Sequence, residues 1–231
     1  MKTIGLIGGM SWESSIEYYR IINETAREKL GRLHSAKSLM VTVDFAEIEK
    51  LQHEDRWDEA GQILVKCAQD LEHGGADFIV LCTNTMHKLA SQIIANVNIP
   101  FLHIADATAE KIVAEGMKRI GLLGTRFTME QDFYKGRLIQ NFGLDVLVPN
   151  VVDQEIVHRV IYDELVQGKI VENSREEYKR IMETLIEQGA EGIILGCTEI
   201  ELLVSQRESR VPLFPTTAIH AVSAVEYALK D

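Results

Sequence analysis

Two short segments of the chain carry the side chains best suited to chemistry. Cys82-Thr-Asn-Thr-Met-His87 places hydroxyl and amide groups directly after the apolar run Phe78–Leu81, and Leu195-Gly-Cys-Thr-Glu199 places a thiol after another apolar run. A free cysteine is usually a small buried hydrophobe. At the start of a helix, however, its pKa is lowered and it can act as a thiolate. We therefore predict that Cys197 is the reactive thiol.

The polar residues of the first segment can be interpreted as helix caps or as ligand contacts. Ser, Thr and Asn are preferred at helix N-termini, where they accept hydrogen bonds from exposed backbone donors. Three such residues in succession favour ligand contact by Asn84 and Thr85, with capping as a compatible second role. Successive strand side chains point to opposite faces, so we assign Thr83 to the site and Cys82 to the scaffold.

The glycines after the first apolar run invite a nucleotide interpretation that their spacing does not support. Gly5-Leu-Ile-Gly8-Gly9 matches neither the dinucleotide fingerprint nor the P-loop. We expect Gly8 and Gly9 instead to let backbone donors around Met10 and Ser11 approach a small anion. The histidines lack HExxH spacing and the three cysteines lack CxxC spacing, so no metal, structural zinc or disulfide framework is predicted.

Short apolar runs alternate with longer amphipathic stretches, which is the pattern of βαβ units around a parallel sheet. Predicted strands cover residues 3–7, 39–43, 78–82, 101–104, 120–123, 145–148, 193–195 and 213–214. Predicted helices cover residues 13–30, 57–73, 87–96, 107–115, 130–142, 154–167, 174–188 and 217–230. The sequence therefore predicts an α/β fold.

The two halves of the chain resemble each other. Lys2-Thr-Ile-Gly-Leu-Ile-Gly8 matches Lys118-Arg-Ile-Gly-Leu-Leu-Gly124, and the segment from Gly75 to Thr85 matches the segment from Gly189 to Glu199. Ile99-Pro-Phe also matches Val211-Pro-Leu, in the same order and at a similar offset. These matches indicate a duplicated unit. They align Thr83 with Cys197, in turns that we expect to face one cleft suited to a carboxylate.

Composition excludes several classes of partner. A net charge of −11 and a pI near 5.2 argue against nucleic-acid binding, which needs clustered Lys and Arg. No apolar run reaches the roughly 18 residues of a membrane span, and the N-terminus lacks the pattern of a secretory signal. We expect a cytoplasmic protein with a small-molecule partner. A homodimer is possible on frequency alone.

Together, Gly5-Leu-Ile-Gly-Gly-Met10, the Asn84-Thr85 turn ending at His87, and Gly196-Cys-Thr-Glu199 resemble the aspartate/glutamate racemase superfamily over the whole chain. The resemblance is closest to its enterobacterial L-aspartate/glutamate-specific type. It implies two pseudo-symmetric α/β domains, an active-site cleft between them, and racemisation of an amino acid without pyridoxal phosphate or metal. We place the domains at 1–98 with 213–231 and at 99–212, with crossings near 97–118 and 205–216.

The resemblance also implies site residues. The catalytic pair falls on Thr83 and Cys197, and the substrate contacts fall on Met10, Gln52, Asn84, Thr85, Thr125, Thr198 and Glu199. Gln52 and Thr125 have no distinctive local motif around them.

This sequence departs from most members of the superfamily, which resemble one another in using two cysteines. Thr83 can donate a proton, but without an activating base it abstracts one far less well than a thiolate does. Our hypothesis is that Cys197 abstracts the α-proton of one enantiomer and Thr83 donates from the other face. Helix-terminal amides and Asn84 or Thr198 would stabilise the enolate-like carboxylate. Return of the proton to the same face, by Cys197 alone, is the single-base alternative.

Two other functions remain open. A decarboxylase or cis-trans isomerase of small dicarboxylic acids resembles the same scaffold and uses one of the two cysteine positions. A small-molecule binding protein would also have two α/β halves around a cleft, although the missing export signal weighs against it.

Overall fold

The computed structural model describes residues 1–230, which form eight strands and eleven α-helices. The strands are β1 (Ile4–Gly8), β2 (Ser38–Thr42), β3 (Phe78–Leu81), β4 (Phe101–Leu102), β5 (Arg119–Gly124), β6 (Asp145–Leu147), β7 (Gly192–Gly196) and β8 (Leu213–Pro215). The helices are α1 (Trp12–Leu30), α2 (Phe45–His53), α3 (Trp57–His73), α4 (Ala90–Ile94), α5 (Ile104–Ala114), α6 (Arg126–Glu130), α7 (Lys135–Phe142), α8 (Val151–Asp163), α9 (Glu172–Glu187), α10 (Ile200–Leu203) and α11 (Thr216–Leu229). Short 3-10 helices occupy Thr85–Leu89, Leu165–Gln167 and Gln206–Glu208.

The first sheet is parallel, with strand order β2-β1-β3-β4. All residues of β1 and β3 are buried, as expected for central strands of a parallel sheet whose two faces are covered. Ile4 and Leu6 of β1 pack with Phe78 and Val80 of β3 and with residues of α1 and α11. This core holds the two strands whose ends carry the first set of predicted site residues.

The second sheet repeats the arrangement, with strand order β6-β5-β7-β8 and parallel pairing throughout. Its core contains Leu123 of β5, Ile193 and Leu195 of β7, and residues of α8 and α9. Two parallel sheets of the same strand order confirm the predicted α/β class and the predicted resemblance of the halves.

Backbone contacts divide the chain into two compact units. The first is Met1–Ile104 together with the C-terminal segment from His220, and the second is Ala105–Ile219. The division therefore falls at the start of α5 and within α11. Among residues 1–230, no helix combines the length and the apolarity needed to cross a membrane.

Several predicted element boundaries were wrong. The helix predicted over residues 130–142 begins only at Lys135, as α7, because Gln131 takes an extended conformation that ends α6 at Glu130. Asp132, Phe133 and Tyr134 have low helix propensity, which the apolar periodicity did not reveal.

Other elements begin where a capping side chain places them. The sequence prediction missed α2, which begins after Asp44, whose carboxylate accepts a hydrogen bond from the Ala46 amide at 3.0 Å. Likewise α8 begins at Val151 because Asn150 caps it, ahead of the predicted start at residue 154.

Two further predicted boundaries differ from the structure. The strand predicted over residues 101–104 ends at Leu102, and Ile104 already begins α5. The helix predicted over residues 87–96 is the 3-10 helix Thr85–Leu89 followed by α4.

Candidate functional site

In the first unit, the predicted site residues other than Gln52 follow neighbouring strands at their carboxyl ends. Ile7 of β1 pairs with Leu81 of β3, so the glycine turn after β1 and the polar turn after β3 leave the sheet at the same edge. The Cys82 amide extends this pairing by donating to the Ile7 carbonyl at 2.9 Å. The parallel register thereby brings two segments together that lie far apart in the sequence.

The turn after β1 depends on Gly9. Its φ of +93° favours glycine, and a Cβ at this position would lie only 2.3 Å from the carbonyl oxygen of Val43. The Gly9 amide donates to Ser15 Oγ at 2.8 Å, and this hydroxyl donates to the Ser11 carbonyl at 3.0 Å. The Gly9 amide therefore holds the turn together, and Met10 is buried beside it.

The turn after β3 places Thr83, Asn84 and Thr85 in succession. Thr83 is partly buried, whereas Asn84 and Thr85 are buried and lead into the 3-10 helix Thr85–Leu89. Gln52 reaches this helix from α2, because its Nε2 donates to Sδ of Met86 at 2.8 Å. The structure thus brings Gln52, which no local motif marked, next to the turn.

Cys82 and Thr83 differ in their surroundings. Cys82 is fully buried in the core with Leu6, Tyr18 and Val80, and burial raises the pKa of its thiol well above the ordinary range. A neutral thiol in an apolar core is inert. These contacts support a structural role for Cys82.

In the second unit, the strand register places Thr125 and Cys197 side by side in the backbone. Gly124 of β5 pairs with Gly196 of β7, and each precedes one of these residues. A Cβ on Gly196 would lie 2.7 Å from the Leu123 carbonyl, so this pairing requires a residue without a side chain. Thr125 is buried and caps α6, where its Oγ1 accepts from the Thr128 amide at 3.4 Å.

Cys197, Thr198 and Glu199 form one hydrogen-bonded group at the end of β7. The Cys197 thiol donates to Glu199 Oε2 at 2.9 Å, and the Thr198 hydroxyl donates to the same oxygen at 2.7 Å. Glu199 and Cys197 are both buried, while Thr198 is partly buried. The carboxylate is therefore placed to take the proton of the thiol.

The protonation state expected for Cys197 from the sequence was wrong for this structure. Burial raises the pKa of the thiol well above its ordinary value, and the negative charge of Glu199 raises the pKa further. The helix that follows, α10, has four residues and begins at Ile200, so it offers little dipole to stabilise a thiolate. Cys197 is held as a neutral thiol hydrogen-bonded to a carboxylate.

The predicted residues thus form one group in each unit. Met10, Gln52, Thr83, Asn84 and Thr85 lie around the β1 and β3 ends, and Thr125, Cys197, Thr198 and Glu199 lie at the β5 and β7 ends. Sequence reasoning missed the thiol–carboxylate hydrogen bond, although the position of Glu199, two residues after Cys197, was a usable signal. It also left the role of His87 unspecified.

A protein-family model matches most of the chain. The model of the Asp/Glu/hydantoin racemase family matches residues 7–224. This range includes both groups of predicted site residues.

Solved structures resemble the whole chain. A candidate Asp/Glu racemase from Yersinia pestis is 55% identical, with a TM-score of 0.94 over 100% of both chains. PH1733, an aspartate racemase homologue from Pyrococcus horikoshii OT3, is 35% identical, with a TM-score of 0.86 over 100% of both chains. Among characterised sequences, the broad specificity amino-acid racemase RacX of Bacillus subtilis is 28% identical over 175 residues, which cover 73% of this chain and 72% of RacX.

Proposed function

Since the chain belongs to the Asp/Glu/hydantoin racemase family and is an amino-acid racemase, we propose that its substrates are the acidic amino acids aspartate and glutamate. Two similar structures, a candidate Asp/Glu racemase and an aspartate racemase homologue, support this substrate class. The polar set of Gln52, Asn84 and Thr85 also supports it, because amides and hydroxyls can donate hydrogen bonds to carboxylate oxygens.

The observation that carries the proposed chemistry is the hydrogen bond from the Cys197 thiol to Glu199. Glu199 takes the thiol proton, and the thiolate so formed removes the α-proton of the substrate. Because burial and the Glu199 charge disfavour the thiolate in the free enzyme, this step needs help from the substrate. The substrate ammonium supplies that help, since a nearby positive charge favours the thiolate.

Thr83 completes the inversion in this proposal. Its hydroxyl donates a proton to the opposite face of the carbanion, whose charge is delocalised into the α-carboxylate. Hydrogen bonds from Asn84 or Thr198 stabilise that developing charge. Water then carries the proton held by Glu199 to the Thr83 alkoxide, which restores the starting enzyme.

We also propose that the reaction uses neither pyridoxal phosphate nor a metal, and that the enzyme works in the cytoplasm. The proposed proton transfers all run through Cys197, Glu199 and Thr83, so they need no electron sink other than the substrate carboxylate. Racemisation that survives hydroxylamine, which traps pyridoxal phosphate, and EDTA would support the cofactor proposal. Loss of activity with either reagent, restored by adding back the group, would contradict it.

The test of the proposed function follows proton exchange and inversion separately. Proton NMR in deuterated water measures loss of the α-proton from L- and D-aspartate and from L- and D-glutamate, and chiral chromatography measures inversion. Wild type is compared with Cys197→Ala and Thr83→Ala, with melting curves to confirm that each variant folds.

Each outcome has a distinct meaning. Exchange coupled to inversion in wild type, with inversion lost in both variants, is the expected result. Exchange without inversion that survives Thr83→Ala would show single-base chemistry at Cys197. No exchange with either acidic amino acid would overturn the substrate proposal, and a wider panel of amino acids, arylmalonate and maleate would then be tested. Since L and D amino acids have equal free energies in water, kcat/KM must be equal in the two directions of a true racemisation.

A further inference from the structure

Three buried histidines pack together in the first unit, and one of them contacts the Thr83 turn. His87, His103 and His220 are each at most 5% exposed. The ring centroids of His87 and His103 lie 4.5 Å apart, and those of His87 and His220 lie 6.0 Å apart. The mechanism proposed above uses none of them.

The hydrogen bonds of His87 define its tautomer. Its Nδ1 lies 2.7 Å from the Thr83 carbonyl oxygen, which can only accept, so Nδ1 must carry a proton. Its Nε2 lies 3.1 Å from the Ile104 amide, which can only donate, so Nε2 must be unprotonated. His87 is therefore a neutral imidazole with its proton on Nδ1.

His220 carries its proton on the other ring nitrogen. Its Nε2 lies 3.0 Å from the Leu102 carbonyl oxygen and must donate. Its Nδ1 lies 2.8 Å from the Tyr18 hydroxyl, which can donate or accept, so Nδ1 is the acceptor when the ring is neutral. The protonated nitrogens of His87 and His220 can thus be compared within one cluster.

We propose that His87 is a positioning residue that holds the Thr83 backbone, and with it the direction of the Thr83 hydroxyl, by joining the Thr83 carbonyl to the first amide of α5. This inference rests on the proposed role of Thr83 as proton donor. The β3 strand ends at Leu81, so Thr83 lies beyond the backbone hydrogen bonds that hold the strand in the sheet. The bond from His87 supplies the missing restraint on the carbonyl side of Thr83, and small displacements of a reacting group greatly slow a proton transfer.

Two variants separate the hydrogen bonds of His87. In His87→Asn the side-chain amide nitrogen can replace Nδ1 and donate to Thr83, but the shorter side chain cannot replace Nε2 as acceptor from the Ile104 amide. In His87→Gln the longer side chain can replace Nε2 as acceptor from Ile104, but the donor to Thr83 is lost. Each variant keeps one hydrogen bond, so a general loss of stability affects both.

The first measurement is independent of activity. Long-range nitrogen–proton correlation NMR of protein with ¹⁵N-labelled histidine distinguishes the two neutral tautomers, with signals assigned from His87→Asn and a His220→Asn variant. We expect the Nδ1–H pattern for His87 and the Nε2–H pattern for His220. An Nε2–H pattern for His87 would overturn the proposal.

The second measurement is the ratio of inversion to α-proton exchange in deuterated water. We expect His87→Gln to lower this ratio about tenfold or more, since exchange at the Cys197 face does not need Thr83, and His87→Asn to stay near wild type. Equal ratios in both variants, or losses that follow the melting temperatures, would show a merely structural role and overturn the proposal. If wild type shows no exchange, the proposed function fails, whereas the tautomer measurement still decides the His87 hydrogen bonds.

Discussion

The Cys197 thiol and the Glu199 carboxylate share a hydrogen bond of 2.9 Å, with one residue between them in the sequence. Both groups are buried, and the Thr198 hydroxyl donates to the same carboxylate oxygen. The acceptor is thus held in place by two donors. The charge of this carboxylate therefore acts directly on the pKa of the Cys197 thiol and raises it.

The first prediction concerns the titration of Cys197. The negative charge and the acceptor oxygen of Glu199 both raise the pKa of the thiol, so Glu199→Gln should lower that pKa while burial still holds it above the ordinary value. The alkylation of Cys197 by iodoacetamide becomes faster as the thiol loses its proton, so the pH at which its rate rises should be lower in the variant than in wild type. Peptide mass spectrometry distinguishes Cys197 from the buried Cys67 and Cys82.

The same variant should lose turnover, because glutamine cannot take the thiol proton. We expect kcat to fall about a hundredfold, in the range typical of lost general acid–base catalysis. Glu187→Gln, on an exposed face of α9, is the matched control and should change neither property. If the pH profile of Cys197 alkylation is unchanged in Glu199→Gln, or shifts to higher pH, the assigned effect of Glu199 on the thiol is contradicted.

The second prediction concerns the hydroxyl of Thr83. Thr83→Val keeps the shape of the side chain but removes the proton donor, and should lower the inversion rate about a hundredfold. Exchange at the Cys197 face should persist. Thr83→Ser keeps the hydroxyl and should retain inversion within about tenfold of wild type. Full inversion by Thr83→Val would exclude Thr83 as the donor.

The third prediction concerns Gln52. Its Nε2 contacts the Met86 sulfur, which places the amide beside the Thr83 turn. As a substrate contact, Gln52→Leu should raise KM about tenfold with kcat little changed, because the lost interaction binds ground state and transition state alike. Steady-state kinetics with both enantiomers measures KM and kcat separately.

Met86→Leu is the control for packing around Gln52. It preserves the buried volume and removes the sulfur, and should leave KM near that of wild type. A similar rise in KM in both variants would show that Gln52 acts through packing against the turn.

The fourth prediction concerns the stability of the first glycine turn. In Gly9→Ala the new methyl group meets the Val43 carbonyl, and a positive φ adds strain, so the free energy of unfolding should fall by more than about 2 kcal/mol. Gly143→Ala has a left-handed φ of +66° with nothing within 4 Å, and should cost about 1 kcal/mol. Urea unfolding of both variants measures the difference. An equal loss of unfolding free energy in the two variants would show that the backbone moves to relieve the contact with Val43 at no cost.

Much of the fold was predictable from the sequence because its signals are local. Apolar runs such as Phe78–Leu81 located all eight strands, and the helix Trp57–His73 was predicted with its observed bounds. Boundaries failed where capping or 3-10 geometry decides them, as at Asn150 and at Thr85–Leu89. Apolar periodicity carries no information about those local hydrogen bonds.

By itself, the sequence determined the α/β class, the duplicated unit, and the two polar turns that contain Thr83 and Cys197. Each of these depends on residue type and spacing within a short segment. The tertiary structure alone decided the protonation of Cys197, the approach of Gln52 to Met86, and the tautomer of His87. These properties depend on burial and on distances between residues that strand register and side-chain packing bring together, and a linear pattern does not contain those distances.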